Sequence, residues 1–364
     1  MKRYGCLFPE IVSTENIGWA FDLALLGKKQ RPSLQRYVNK KDSCVQTIQE
    51  SLINGTYQTS DYYIKTIFEP KERLIYILPF YPDRIVQHAI MNIIAPIWDS
   101  FFIDDSYCCR KGKGQHKGSM RLTELIPYNE YFLKGDISKF YPNMNHAILL
   151  SIIEHKIKDR KVLWLFDNII NSIEGETNIP IGNYTSQWFG NLYLNELDQW
   201  LKNVYKIKCY IRYSDDFVVL SNDKGLLQEL RVAIPEFLYT NLKLTMSRND
   251  LSKTSQGIDF LGYRHFPDRF KLVRKSTSER IAGIVKMLYT WYFGAPDYTH
   301  TMDELVRTRS ILASYIGLLD HANSYNFKIT HRIVNLYEEI VNDIRTREKY
   351  GLFPSGGDGY FSRS

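Results

Sequence analysis

The chain has 364 residues, 44% of them hydrophobic, and a formal net charge of +7 from 47 basic and 40 acidic side chains. That is enough apolar material for a sizeable core, and the modest basic excess suits a polyanionic partner without establishing one. No apolar run reaches membrane-spanning length and the N-terminus lacks a signal-peptide pattern. The cysteines Cys6, Cys44, Cys108, Cys109 and Cys209 have no metal-ligand spacing, so a soluble cytoplasmic protein with reduced thiols is expected.

Residues 1–60 read as helical, with apolar residues at helical spacing over Glu15 to Leu26 and again over Cys44 to Leu52, ending at Asn54-Gly55. Between the two runs, Gly27 to Lys41 holds six Lys or Arg residues and no acid. Ile64 to Phe68 and Arg73 to Ile77 read as two strands around Glu69-Pro70-Lys71-Glu72. A helix follows over Ile85 to Trp98, then a Gly-Lys-Gly loop with four basic residues between Arg110 and Lys117. Tyr131 to Gly135 reads as a strand, Asn145 to Lys156 as a helix, the stretch to Pro180 as extended, and Ser186 to Leu201 as a helix. Cys209 to Tyr213 and Phe217 to Leu220 form a hairpin with Ser214-Asp215-Asp216 at its tip; Leu226 to Leu242 is a helix and Ile258 to Tyr263 a strand. Without the extra helix the order is βαββαβ, a ferredoxin-like unit. From Ser276 the pattern is helical, broken near Gly294-Ala295-Pro296 and Ala322-Asn323-Ser324, and a Gly-rich tail runs from Gly351.

In that topology the first strand lies beside the hairpin, so Asp136, at the end of one strand, can meet Asp215 and Asp216 at one edge of the sheet. Several carboxylates at one point suit hard divalent cations that hold phosphate oxygens during phosphoryl transfer. Asp136 and Asp215 are expected as main ligands, Asp216 as a supporting one, and the Ile137 carbonyl as a further one. An Asp-Asp pair in a turn is otherwise a plain hairpin; the flanking apolar strands and the second acid argue for a site.

Tyr213-Ser214-Asp215-Asp216 resembles the Tyr-x-Asp-Asp box of reverse transcriptases. In order around it, Asp83 to His88, Ser106 to Gly114, Asp136 to Tyr141, Gly182 to Gln187, Gly257 to Tyr263 and Ser314 to Leu318 resemble further motifs of bacterial members related to group II intron enzymes. The resemblance implies an α+β right-hand polymerase: an N-terminal helical extension over 1–60, fingers over 61–130, a ferredoxin-like palm over 131–270 with part of the fingers inserted, a helical thumb over 271–350 and a flexible tail over 351–364. It implies an RNA-directed DNA polymerase using two Mg2+ ions, with Mn2+ as a substitute, and taking dNTPs, an RNA template and a cDNA primer. Tyr141 is expected to block a ribose 2′-OH. Arg73, Arg110 and Lys113 are expected to clamp the triphosphate, and Ile181, Gly182 and Gln187 to lie against the nascent base pair. Tyr213, Lys271, Arg274, Lys275 and Arg280 are expected to contact nucleic acid.

Ile181-Gly182-Asn183-Tyr184-Thr185-Ser186-Gln187 has an aliphatic residue before the glycine and Ser-Gln after it, where most reverse transcriptases carry Gln and Ser-Pro. This resembles the enzymes of diversity-generating retroelements, as do Tyr4 to Pro9 and Asn54 to Tyr57. That subtype implies adenine-mutagenised cDNA copied from a template-repeat RNA, diversification of a target gene, and a small basic accessory protein. Another stand-alone bacterial reverse transcriptase (retron, abortive-infection or group II intron type) and a catalytically silent RNA-binding scaffold are the alternatives. A lysine acid for pyrophosphate has no clear counterpart, since Arg248 is too basic and Lys253 displaced. No RNase H or endonuclease domain is expected within the chain.

Overall fold

A computed structural model describes residues 3–68, 72–294 and 299–350. The turn at 69–71 with Lys71, the break at Ala295-Pro296 and the tail from Gly351 lie outside the described residues. The chain divides into two compact units, Met1–Gly118 with Tyr131–Ser252, and Ser119–Glu130 with Lys253–Ser364. Residues 119–130 and 253–270, assigned above to fingers and palm, therefore pack with the second unit.

The first unit opens with helices α1 (Phe8–Ile11), α2 (Thr14–Leu25), α3 (Pro32–Val38) and α4 (Lys41–Ile53). Ser13 starts α2 by accepting from the Asn16 N–H, satisfying one of the unpaired donors of the first turn. Strands β1 (Tyr63–Ile67) and β2 (Arg73–Ile77) pair antiparallel, followed by α5 (Ile85–Asp99) and α6 (Gln115–Leu125), which crosses into the second unit. Next come β3 (Tyr131–Ile137), α7 (Phe140–Asn143), α8 (His146–Glu154), α9 (Arg160–Ile170) and α10 (Tyr184–Asn203). Helix α9, absent from the extended stretch expected there, is capped by Asp159, whose other carboxylate oxygen accepts from the N–H groups of Leu7 and Phe8. β4 (Cys209–Tyr213), β5 (Asp216–Ser221), α11 (Lys224–Leu242) and β6 (Met246–Lys253) complete this part of the chain. Apolar faces of α2, α5, α8, α9, α10 and α11 bury one continuous core with β3, β4 and β5.

The central sheet has the order β4-β5-β3-β6. This is the strand order of a ferredoxin-like unit, but its fourth strand is Met246–Lys253, not the expected Ile258 to Tyr263. Met-Ser-Arg-Asn-Asp-Leu-Ser-Lys carries too few apolar residues to show strand periodicity, and edge pairing with β3 makes it a strand. The expected last strand is instead two short ones, β7 (Ile258–Phe260) and β8 (Tyr263–His265), joined through Leu261 and Gly262 at φ 52° and 84°.

In the second unit β7 and β8 form a three-stranded sheet with β9 (Lys271–Val273). His265 accounts for residues 119–130 belonging here: it meets Thr123 at 3.0 Å and Ser119 at 3.5 Å from α6. Helices α12 (Lys275–Phe293), α13 (Met302–Asp320), α14 (Tyr325–Thr330) and α15 (Ile333–Tyr350) follow, with a reciprocal Thr301–Glu304 capping box at the start of α13. Ile281, Leu305, Leu312, Leu336 and Ile340 centre their separate core.

Candidate active site

β3 and β5 run antiparallel with Asp136 directly opposite Asp216, and opposed residues project from the same face. Tyr213 is also opposite Asp216, across the β4–β5 pair, so only Ser214 and Asp215 form the hairpin loop. A two-residue loop of this kind needs left-handed backbone, which Ser214 supplies at φ 55°. Asp216, expected at the tip, thus stands instead as the first residue of β5, just past the loop. The Ile137 N–H donates to the Asp215 carbonyl at 3.3 Å, tying the end of β3 to the loop.

Three polar contacts hold this edge. Lys134, buried two residues before Asp136, places its ammonium 3.1 Å from the Asp216 carboxylate. Ser247 on β6 donates its hydroxyl to the Asp136 carboxylate and, at 3.3 Å, to the Asp136 carbonyl. Beneath the loop, Arg212 pairs with Asp198 at 2.5 and 2.7 Å, both side chains fully buried, and donates to the Ser214 carbonyl at 3.2 Å. Tyr210 also donates to Asp198, at 2.7 Å. Burial would push the Arg212 guanidinium down, and the Asp198 carboxylate more than offsets it.

None of these supporting residues was assigned a role from sequence, although two left a signal. Lys134 and Arg212 are charges inside otherwise apolar strands, and a buried charge is retained only with a partner. Ser247 left none, because its strand was not recognisable.

The acids repel one another. Burial, then the Asp136 charge, raises Asp215, with Arg73 on β2 partly relieving it. Asp216 is pushed up to about 6 by burial, with Lys134 opposing and the other two acids reinforcing the shift. Bound cations would relieve both effects, and the chemistry of the donors suits a hard divalent ion. Among the described residues no three acidic, His or Cys side chains close into a cage; magnesium is commonly held by one or two carboxylates, with water and substrate phosphates as its other ligands.

The expected residues Tyr141, Ile181 and Gly182 are held by contacts to α10 and β2. The Tyr141 ring packs on Gly190 of α10, where a Cβ would stand 3.0 Å from its hydroxyl, and burial raises that hydroxyl. The Ile181 carbonyl accepts from the Tyr76 N–H at 2.8 Å, joining its loop to β2. Gly182 has φ 129°, and a Cβ there would stand 2.2 Å from the Tyr76 carbonyl oxygen. Gly182→Ala is expected to cost about 1–3 kcal/mol through its backbone alone and to push β2 away, seen as a lower denaturant midpoint. Gln187 is exposed on the first turns of α10. Arg84 reaches the Gly182 carbonyl at 3.5 Å, and burial with the Arg84 and Lys28 charges holds His88 down to about 4.

Three expected cations are occupied within the protein. Arg110 pairs with Asp99 at 2.5 Å and donates to the carbonyls of Ile103 and Ser106 at 2.7 and 2.9 Å, so its guanidinium pins the end of α5 to the glycine loop. Lys113 is turned to Asp104, 2.6 Å from its carboxylate. Lys271 is buried in the second unit, donating to Ser119 at 3.2 Å over the Tyr263 ring. A basic residue beside glycines or before a helix looks the same in sequence whether it pairs internally or faces a ligand. Arg274, Lys275 and Arg280 are exposed at the start of α12, with Glu279 3.8 Å from Lys275.

Residues 68–265 match the protein-family model described as reverse transcriptase (RNA-dependent DNA polymerase), more than half of the chain. Protein YkfC of Escherichia coli is 24% identical, the alignment covering 60% of this chain and 70% of YkfC. The group II intron-encoded protein LtrA of Lactococcus lactis subsp. cremoris is 22% identical over 60% of this chain, which spans about half (49%) of LtrA. Among solved structures, apo telomerase from Candida tropicalis superposes with a TM-score of 0.48 at 11% identity, over 79% of this chain and 64% of that one. Among the described residues no helix is long and apolar enough to cross a membrane.

Proposed function

This chain belongs to the reverse transcriptase (RNA-dependent DNA polymerase) family, and on that premise we propose that it extends a primer along an RNA template at the edge formed by Asp136, Asp215 and Asp216. The opposition of Asp136 and Asp216 across β3 and β5, with Asp215 at the adjoining turn, carries the proposal. Asp136, Asp215 and the Ile137 carbonyl would hold the divalent ions, with Asp216 in support. Such ions lower the pKa of an attacking hydroxyl and neutralise charge developing on phosphate.

The remaining work belongs to side chains. Lys134 keeps Asp216 ionised and fixed, and Ser247 orients the Asp136 carboxylate. Arg73, exposed on β2 and electrostatically coupled to Asp215, is the cation best placed for a triphosphate. Tyr141, wedged against Gly190, forms a floor that excludes a 2′-OH, and Gly182 lets backbone approach the nascent pair. Tyr213 borders the primer end, while Arg274, Lys275 and Arg280 supply exposed positive charge for backbone phosphates. The test is magnesium-dependent extension of a DNA primer on an RNA template. Tight RNA binding without extension would make the chain a silent scaffold instead.

The motif from Ile181 to Gln187 supports the narrower reading of a diversity-generating retroelement enzyme, which makes cDNA altered at adenines and works with a small basic accessory protein. A glutamine at 181 would offer hydrogen bonds near the incoming sugar; Ile181 has none to offer, and losing a polar contact to the correct substrate lessens discrimination. Ile181→Gln is expected to lower misincorporation opposite template adenine, read by sequencing cDNA made with and without candidate accessory proteins. An unchanged error spectrum removes this residue as a cause.

A further inference from the structure

Cys108 and Cys109 stand beside the acidic edge, and the proposed reaction uses neither. Side chains of adjacent residues in an extended chain point to opposite sides, yet here the two Sγ atoms are 3.3 Å apart, with Cys109 at φ 53°. Cys108 is buried and Cys109 partly exposed, so an oxidant reaches Cys109 first. The pair is linked to the metal-box loop by contacts already in place. Asn191 on α10 donates to the Cys108 carbonyl at 2.7 Å and accepts from Arg212 at 3.4 Å, and Arg212 holds the Ser214 carbonyl.

We propose that Cys108 and Cys109 form a peroxide-sensitive vicinal dithiol whose disulfide shuts down the adjacent active site. The Cys109 sulfur attacks one oxygen of hydrogen peroxide and the O–O bond breaks, leaving a sulfenic acid; the departing hydroxide takes up the thiol proton as water. The Cys108 sulfur then attacks the Cys109 sulfur, the S–S bond forms and the S–O bond breaks, releasing a second water. Two electrons pass from the thiols to the peroxide. A trans peptide holds consecutive Cα atoms about 3.8 Å apart, below the roughly 4.4–6.8 Å that disulfides usually span. Closing the ring therefore deforms the loop and pulls the Cys108 carbonyl from Asn191. The strained bond is readily reduced again.

The experiment treats the full chain with hydrogen peroxide and maps its peptides. The peptide holding Cys108 and Cys109 should lose the mass of two hydrogen atoms, resist alkylation, and recover with dithiothreitol. Amide exchange over 213–216 should quicken, and primer extension should fall reversibly by about tenfold to a hundredfold, as for a small misplacement of reacting groups. Cys109→Ser should extend primers and ignore peroxide; Cys109→Ala serves if the serine variant folds poorly. The triple variant Cys6→Ser/Cys44→Ser/Cys209→Ser should remain sensitive. Free 108–109 thiols at a dose that oxidises the other cysteines would overturn the proposal, as would a disulfide that leaves exchange and rate unchanged. The effect on rate rests on the polymerase reading. If the reduced protein extends no primer, that reading fails, while mapping and amide exchange still decide the dithiol.

Discussion

Asp215→Ala is expected to reduce magnesium-dependent primer extension by about 10³-fold or more, in line with the loss of a group that stabilises charge in the transition state. The same substitution should not lower the thermal midpoint of the metal-free protein. Asp215 sits at a two-residue turn where burial and the Asp136 charge disfavour its ionised form, so removing the carboxylate relieves a repulsion. The turn itself is held by the Ser214 backbone and by Arg212. Loss of activity with unchanged or raised stability distinguishes a functional acid from an Asp-Asp pair that only shapes a hairpin. A parallel fall in both would return the pair to that structural role.

Asp198→Asn should destabilise the protein by about 3–5 kcal/mol, the range for breaking a buried ion pair from one side. Arg212 would then keep a fully buried guanidinium without its carboxylate, and Tyr210 would lose a charged acceptor. Chemical denaturation of the variant measures the cost. The double change Asp198→Leu/Arg212→Met should recover most of the stability, because well-packed apolar replacements of a buried pair are often neutral. It should not recover primer extension, since the Ser214 carbonyl loses its donor. Recovery of both would mean that the pair serves stability alone.

Much of this site was legible because it is local. Two apolar strands with turn residues between them announce a hairpin, and Asp136 ends a third apolar run at a point where only one topology brings it to the hairpin. The expected ferredoxin-like order held for β3, β4 and β5 for the same reason. It failed at the fourth strand, where Met246–Lys253 has almost no apolar alternation and backbone pairing along an edge does not require any. The stretch expected to be extended holds helix α9, whose Asp159 cap is fixed by the distant Leu7 and Phe8 N–H groups, a meeting that local pattern does not record.

The charged residues divide along the same line. By itself the sequence determined the family, the α+β class and the hairpin, and it singled out three acids as expected ligands, all from short segments in a set order. Only the tertiary structure decided which cations are at liberty to meet a ligand. Arg73 is exposed on β2, whereas Arg110, Lys113 and Lys271 are drawn onto Asp99, Asp104 and Ser119. It likewise decided that Lys134, Arg212, Asp198 and Ser247 brace the acidic edge. A hydrogen bond or ion pair depends on which side chains meet across elements far apart in the chain, and periodicity carries no record of that meeting.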